Sequence, residues 1–214
     1  MSLWVRGLLV RTAWLAVPLC LCLACKGQEV TRATPKGAFT LYVSSAKAGN
    51  YEAVYTMIVK DIQNKIDMTY DNMRQAIKLI NTNYPPALRP QALADLGRPE
   101  VRNAANPAQY FAALVGSAGK PALSTAEVLS SKLKRIEEKD KDKGGSHFIM
   151  TTVSGATLDF VRGGDELYYL VPNPEDVQLL HREYLRSIER LAATESAVAS
   201  FRAQRPGRPV LPSP

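Results

Sequence analysis

The amino-acid sequence predicts an α+β fold in which helices come first, a small antiparallel sheet follows, and one long helix ends the domain. Three observations support this order. Apolar residues recur every three or four positions through much of the segment 35–115, as they do in helices. Between residues 147 and 171 apolar and polar residues alternate, which is typical of strands with one buried face. From residue 174 the helical spacing returns and continues to about residue 201.

The N-terminal segment has the pattern of an export leader. Arg6 and Arg11 precede an apolar run, Thr12 to Ala24, that is shorter than the roughly 20 residues needed to span a bilayer. Cys25 follows directly after the small residue Ala24. This arrangement resembles a bacterial lipoprotein signal, although Cys22 and Leu23 stand where that family usually has leucine and a small residue.

The resemblance implies that residues 1–24 are removed and that Cys25 is lipidated on its sulfur, becoming the mature N-terminus. The protein is then expected in the bacterial cell envelope, anchored to a membrane. Lys26, rather than aspartate, after the cysteine resembles the sorting pattern for the outer membrane, with the domain facing the periplasm or the exterior. An ordinary secretory signal and an uncleaved anchor are the alternatives.

The remaining chain divides into a tether, a domain and a tail. Residues 25–34 are polar and without periodicity, residues 35–203 form one α+β domain, and residues 204–214 are rich in proline and predicted to be disordered. All three cysteines lie in the leader or at its end. The domain is therefore expected to be stable through packing alone, without disulfides.

Charge argues against a nucleic-acid partner. The formal net charge is +7, and the leader's Arg6 and Arg11 account for two of these charges. The other basic residues are dispersed and many have acidic neighbours, whereas nucleic-acid binding needs a clustered basic face.

Start and stop signals delimit the helices of the first half. Thr34-Pro35 opens a helix that Gly49-Asn50 ends, and a second apolar stripe follows over Tyr51–Ile58. A third helix, from about residue 62, ends at Asn83-Tyr84-Pro85-Pro86, because proline disfavours helix at the preceding residue. Residues 85–106 are predicted to hold one short helix among loops. Asn106-Pro107 opens another helix, which ends at Gly116.

The segment 124–143 is ambiguous. Ser124 and Glu127 have the spacing of a capping box, which favours a helix. Lys132–Glu137 is equally compatible with a long exposed strand, and Glu137–Lys143 with a solvated hairpin tip or helix end.

Three strands and the last helix follow. The predicted strands are His147–Val153, Ala156–Arg162 and Glu166–Val171, separated by turns at Ser154-Gly155 and Gly163-Gly164-Asp165. Asn173 and Pro174 open the last helix. Its apolar stripe contains Val177, Leu180, Tyr184, Ile188, Leu191 and Val198. This stripe packs either on the same domain or on another copy, so the oligomeric state stays open.

The helix, the Ala48–Tyr55 piece and the later meander resemble small bacterial lipoproteins of the nuclear-transport-factor-2-like fold. The matching residues are Ala38–Ile58 and Ile149–Leu170. The resemblance implies a curved sheet that wraps a helix around a cone-shaped pocket, with residues 132–140 as the first long strand. The inserted helices between residues 60 and 120 and the long last helix depart from that pattern. The alternative is an unclassified α+β lipoprotein with a helical layer over a small sheet.

Candidate pocket residues follow from the same resemblance. Enzymes of this fold use an acid or base beside a tyrosine, and the candidates here are Tyr42, Tyr55, Tyr110 and Asp159. Their ordinary interpretation is different. The tyrosines lie on apolar helix faces, where core packing is usual, and Asp159 lies on the strand face opposite Leu158 and is expected to meet solvent.

No metal or cofactor site is expected. His147 and His181 are the only two histidines, and each has a sequence context that suggests a surface or capping role. Two functions remain as hypotheses. The first is a non-enzymatic envelope lipoprotein that binds a protein partner or a small apolar ligand. The second is a small isomerase or dehydratase on the cone-shaped fold.

Overall fold

A computed structural model describes residues 30–116, 130–139 and 146–204. From Thr31 onward they belong to one compact unit with an α+β fold, as predicted. Five sequence features lie outside the described residues: the predicted leader, Cys25, the possible capping box at residues 124–127, the charged run 140–143 and the predicted tail beyond Gln204. Within the described ranges, no helix combines the length and the apolar character that crossing a membrane requires.

The elements follow one another along the chain. The helices are α1 (Pro35–Lys47), α2 (Tyr51–Tyr55), α3 (Lys60–Asn83), a 3-10 turn (Pro86–Leu88), α4 (Arg89–Asp95), α5 (Pro99–Arg102), α6 (Pro107–Gly116) and α7 (Pro174–Ala203). The strands are β1 (Leu133–Glu138), β2 (His147–Thr152), β3 (Thr157–Arg162) and β4 (Tyr168–Val171).

The start of α1 is built from the residues that predict it. The Thr34 side chain accepts a hydrogen bond from the Gly37 N–H at 3.1 Å, and Pro35 occupies the first turn. A Cβ atom at position 37 would lie 2.0 Å from the Thr31 carbonyl oxygen. Glycine at this position therefore lets the preceding chain pack closely against the helix.

Residues 31–34, which the sequence assigned to the tether, contact the fold. The Tyr168 N–H donates to the Arg32 carbonyl at 3.0 Å, and the Arg32 guanidinium donates to the Thr56 carbonyl at 2.6 Å. The same guanidinium lies 5.0 Å from the centre of the Tyr169 ring. Arg32 thus fastens the start of the compact unit to strand β4.

The second helix is shorter than predicted, since α2 ends at Tyr55 rather than continuing to Ile58. The Leu170 N–H donates to the Met57 carbonyl at 2.7 Å, and the Val59 N–H donates to the Leu170 carbonyl at 3.0 Å. Ile58 is fully buried as a result. Backbone bonds to β4 replace the last helical turn, and this tertiary pairing is not visible in local sequence.

Residues 85–106 hold three short helical segments instead of one. Each segment has a proline in its first turn: Pro86 in the 3-10 turn, Pro90 in α4 and Pro99 in α5. Proline lacks the N–H that the first turn leaves unpaired and already has the helical φ value. The prolines that indicated loops therefore start helices here.

The sheet is an open four-stranded antiparallel meander in the order β1-β2-β3-β4. The strand interpretation of residues 133–138 is correct, and the helix interpretation is wrong there, because β1 pairs with β2 from Leu133 to Glu138. Gly155 has φ 91°, as the predicted turn between β2 and β3 requires. One face of the sheet enters the core through the buried residues Met150, Leu158, Phe160, Tyr168 and Leu170.

Helices α3 and α7 pack side by side and run in the same direction. Asn72 donates to Ser187, and further along both helices Arg202 donates to Asn83. Buried or half-buried residues recur on each at alternating steps of four and three. On α3 they are Ile62, Ile66, Thr69, Met73, Ala76 and Ile80, and on α7 they are Leu180, Tyr184, Ser187, Leu191, Thr194 and Val198. This spacing of 3.5 residues is typical of coiled-coil packing.

The last helix therefore packs on its own domain within the described residues. Ile188, which the sequence placed in the apolar stripe, lies outside this seam and is 42% exposed. Its place is taken by Ser187 and Thr194, which are buried. Each small polar side chain satisfies its hydroxyl by donating to a carbonyl of its own helix, Tyr184 and Arg190 respectively, which permits burial.

Candidate functional site

Of the four candidate residues, Tyr42 is the most deeply buried. It lies on α1 with no exposed surface, and its ring meets Phe160 of β3 edge-on at a centroid distance of 6.4 Å. Edge-to-face contact of this kind is a favourable packing geometry. Tyr42 thus joins the first helix to the sheet as part of the apolar core.

Tyr55 connects α2 to α3. Its hydroxyl donates a short hydrogen bond to the Asp67 carboxylate, and its ring lies 6.0 Å from that of Phe111. Burial, this hydrogen bond and the negative charge of Asp67 all raise the pKa of the Tyr55 phenol above its usual value. The phenol therefore stays protonated and acts as a hydrogen-bond donor.

Asp159 lies on the outer face of β3, away from the core. Its carboxylate is 3.4 Å from the His147 imidazole Nε2 and 3.8 Å from the Lys139 ammonium group. The Asp159 side chain is 35% exposed. Asp159 of β3 thus belongs to a surface cluster of three charged or titratable groups, the others being His147 of β2 and Lys139, which directly follows β1.

The pairing of His147 with Asp159 was missed at the level of sequence. The signal was present, because a hairpin turning at Ser154-Gly155 sets Ile149 opposite Asp159 and places His147 diagonally from it on the same face. Within the described ranges, no group of three or more histidine, cysteine, aspartate or glutamate side chains could hold a metal ion.

Tyr110 lines a small cavity. The cavity has a volume of ≈ 20 Å³, which is room for about one water molecule. It is lined by Thr69, Met73, Ala76, Leu96, Val101, Tyr110, Ser187 and Arg190. These residues come from the helical layer, so this cavity lies among α3, α5, α6 and α7 and not at the sheet.

The serine and threonine hydroxyl groups around the cavity already form hydrogen bonds within the protein. The Ser187 hydroxyl accepts from Asn72 at 3.0 Å and donates to the Tyr184 carbonyl at 2.7 Å. The Thr69 hydroxyl donates to the Lys65 carbonyl at 2.7 Å. Burial and the nearby charge of Glu183 raise the pKa of Tyr110 to about 12, against the opposing effect of Arg190.

The four candidates do not form one site. Tyr42 packs on the sheet from within, Tyr55 bonds to α3, Tyr110 lines a cavity in the helical layer, and Asp159 faces outward. General acid–base chemistry needs the two groups within hydrogen-bond reach of one substrate. The observed arrangement fits three structural tyrosines and one surface carboxylate.

Comparisons with known proteins add no assignment. Scans of protein-family models, of curated proteins and of solved structures returned no match to this chain.

Proposed function

We propose that this protein is an exported lipoprotein, held at a membrane of the bacterial envelope through acyl groups on Cys25, and that its domain is a non-enzymatic binding or structural module. The observation that carries the proposal is the position of Cys25, directly after the apolar run that ends at Ala24. No cysteine follows it in the chain, so its thiol has no disulfide partner in the domain.

The distance from Cys25 to the compact unit supports an anchoring role. The unit starts at Thr31, six residues after Cys25. Six extended residues span at most about 20 Å. Arg32 then fastens the chain to β4 through its backbone, its guanidinium and its stacking on Tyr169. A lipidated cysteine would therefore hold the domain close to the bilayer surface.

A binding or structural role is favoured over an isomerase or dehydratase. The enzyme hypothesis needs a carboxylate beside a tyrosine in a pocket, whereas Asp159 pairs with His147 and Lys139 on the outer face of the sheet. Tyr42 is packed against Phe160. The described cavity of ≈ 20 Å³ has room for about one water molecule, so it does not itself provide the pocket that the enzyme hypothesis needs.

The relation to the nuclear-transport-factor-2-like fold stays a prediction. The features that suggested it are the first two helices and the meander. The two departures from that pattern, the inserted helices and the last helix, pack on each other through α3 and α7. Location at the outer membrane, inferred from Lys26, is likewise part of the proposal.

The test is the substitution Cys25→Ala, with Cys22→Ala as the matched control. The wild-type protein is expected to fractionate with membranes and to show, by mass spectrometry, an acylated N-terminal cysteine at position 25. Cys25→Ala should lose the acyl groups, and Cys22→Ala should retain them. The proposal fails if the native polypeptide carries a free thiol at Cys25 or begins at another residue.

A further inference from the structure

The two edges of the sheet differ in what covers them. The edge at β4 is covered by residues 57–59 and by Arg32, which exchange backbone hydrogen bonds with β4. Strand β1 forms the other edge, and no residue in the described ranges pairs with its outer side. An uncovered edge presents free N–H and C=O groups, which can pair with another strand.

The register of β1 identifies which backbone groups point away from β2. The Lys139 N–H donates to the His147 carbonyl at 2.8 Å, and Glu137 lies opposite Ile149 two residues earlier. In an antiparallel pair, alternate residues bond to the neighbouring strand. Glu137 and Lys139 therefore turn their backbone groups toward β2, while Ile136 and Glu138 turn theirs outward.

The charges along β1 are arranged so that two antiparallel copies of the strand place basic residues opposite acidic ones. Lys134 and Arg135 precede Ile136, and Glu137 and Glu138 follow it. When a second copy runs antiparallel with Ile136 opposite Ile136, Arg135 lies opposite Glu137 of the second copy. Lys134, which lies at the irregularity of β1, comes next to Glu138 of the second copy. Cross-strand pairs of opposite charge are stabilising, and like charges directly opposite are destabilising.

Neighbouring registers are less favourable. Backbone bonding permits shifts by two residues only, because a shift by one turns the bonding groups away from each other. A two-residue shift in one direction places Arg135 opposite Arg135, and in the other direction Glu137 opposite Glu137. The register centred on Ile136 is thus the one in which all four charged pairs are attractive.

We propose that β1 pairs with β1 of a second copy, antiparallel and centred on Ile136, and joins two four-stranded sheets into one of eight strands. Ile136 is 39% exposed and would contact its equivalent at the two-fold axis. Lysine and a bulge commonly protect sheet edges, and β1 has an irregularity between Leu133 and Arg135. On β1, however, two basic residues precede Ile136 and two acidic residues follow it, so the charges on a second β1 are complementary to those on the first.

The symmetry suits two anchored chains. The two-fold axis of an antiparallel strand pair can lie perpendicular to the sheet, so both copies present the same sheet face on the same side. If the proposed lipid anchor is correct, two tethers can then reach one membrane. A single strand pair is a small interface, so the dimer should be weak in solution and favoured where anchoring raises the local concentration.

The experiment uses residues 26–214, which contain the whole compact unit and do not depend on lipidation. Sedimentation velocity over a wide concentration range should show a reversible dimer of the wild type that weakens with added salt. A wild type that stays monomeric at several hundred micromolar overturns the proposal.

Two charge-reversal variants test the register. Lys134→Glu with Arg135→Glu makes β1 wholly acidic, and Glu137→Lys with Glu138→Lys makes it wholly basic. Each alone should raise the dissociation constant at least about tenfold, since four attractive pairs become repulsive. An equimolar mixture of the two should form a heterodimer, because all four pairs are again attractive.

The matched control for the acidic variant is Arg74→Glu with Lys78→Glu. It lowers the net charge by the same amount, but at exposed positions of α3. This control should dimerise as the wild type does. A cross-link test is independent of charge: Ile136→Cys should form an intermolecular disulfide under mild oxidation, and the exposed Val153→Cys should not. Equal dimerisation of the acidic variant and the wild type, or equal cross-linking at both positions, would refute the pairing.

Discussion

The domain has two apolar clusters that differ in size and in what surrounds them. The larger, which we call the sheet-side core, joins α1, α2, α6 and the inner face of the sheet to the first half of α3. The smaller, the distal cluster, consists of buried Ala76, Ile80 and Leu96 with half-buried neighbours that include Leu191. Helices α3 and α7 contribute residues to both clusters. At the sheet-side end several other elements pack against this helix pair, whereas at the distal end few do.

This difference predicts unequal stability along one pair of helices. At the sheet side, the buried residues of α3, among them Ile62 and Ile66, pack in a cluster that also contains residues of α1, α2, α6 and the sheet. At the distal end, the helices depend on each other, on α4 and on the edge-on contact of Tyr84 with Phe201 at 4.9 Å. Regions with few buried apolar contacts open at lower free energy than the core. The distal end should therefore open before the sheet-side core unfolds.

The largest effect is expected from Phe160→Ala. Phe160 is fully buried and in contact with Tyr42, so truncation should lower the free energy of unfolding by about 3–5 kcal/mol. Phe201→Ala, at the half-buried distal contact, should cost less than half as much. Urea denaturation followed by circular dichroism measures both. Equal losses would contradict the distinction between the two clusters.

Ile80→Ala should also be costly, by about 2–4 kcal/mol, yet its effect should stay local. Ile80 is buried in the distal cluster and outside the sheet-side core. Amide hydrogen exchange should accelerate at the ends of α3 and α7. Amides of β3 should keep the exchange rates of the wild type, and a matching acceleration there would mean that the domain opens as one unit.

Asp176→Asn should stabilise the protein at neutral pH. Burial, followed by the charge of Glu175, raises the pKa of Asp176 to about 6, although a hydrogen bond to Asn173 opposes the shift. Between pH 4 and pH 6 the Asp176 carboxyl is therefore largely protonated in the folded protein. In the unfolded chain, where its pKa is the ordinary 3.8, it has already lost this proton. It follows that the wild type loses stability as pH rises from about 4 to about 6.

The asparagine variant lacks this titration. We expect it to be more stable than the wild type by about 1 kcal/mol at pH 7, a reduced figure because Asp176 is only half-buried. The difference should disappear near pH 4, where the wild-type carboxyl is protonated. Thermal unfolding at pH 4 and pH 7 provides the comparison, and an advantage of the variant that is equal at both values would rule out this cause.

The smallest effect is expected from Gln75→Ala. The Gln75 amide donates to Glu195 at 3.4 Å in an exposed contact between α3 and α7. Exposed polar contacts change stability little, so the loss should be below about 0.5 kcal/mol. A larger loss in the same denaturation assay would mean that polar contacts at the rim, and not the apolar seam, hold the two helices together.

Local chemistry was sufficient to predict most elements. Thr34, Asn106 and Asn173 are helix caps as the sequence indicates, since each side chain accepts a backbone N–H three residues later. The meander was predictable because alternation and turn residues act over a few positions. The candidate site was less predictable. Which tyrosine lines a cavity depends on packing partners far away in sequence, such as Ser187 for Tyr110.

The sequence by itself determined the class of fold, in which helices come first, a meander of strands follows and a long helix comes last. Tertiary structure alone decided that α2 ends at Tyr55, that residues 133–138 form a strand and that α7 lies along α3. The physical reason is common to all three. Each outcome depends on backbone hydrogen bonds to, or burial against, a segment that is distant in sequence. These tertiary contacts contribute more free energy than the weak local preferences for helix or strand.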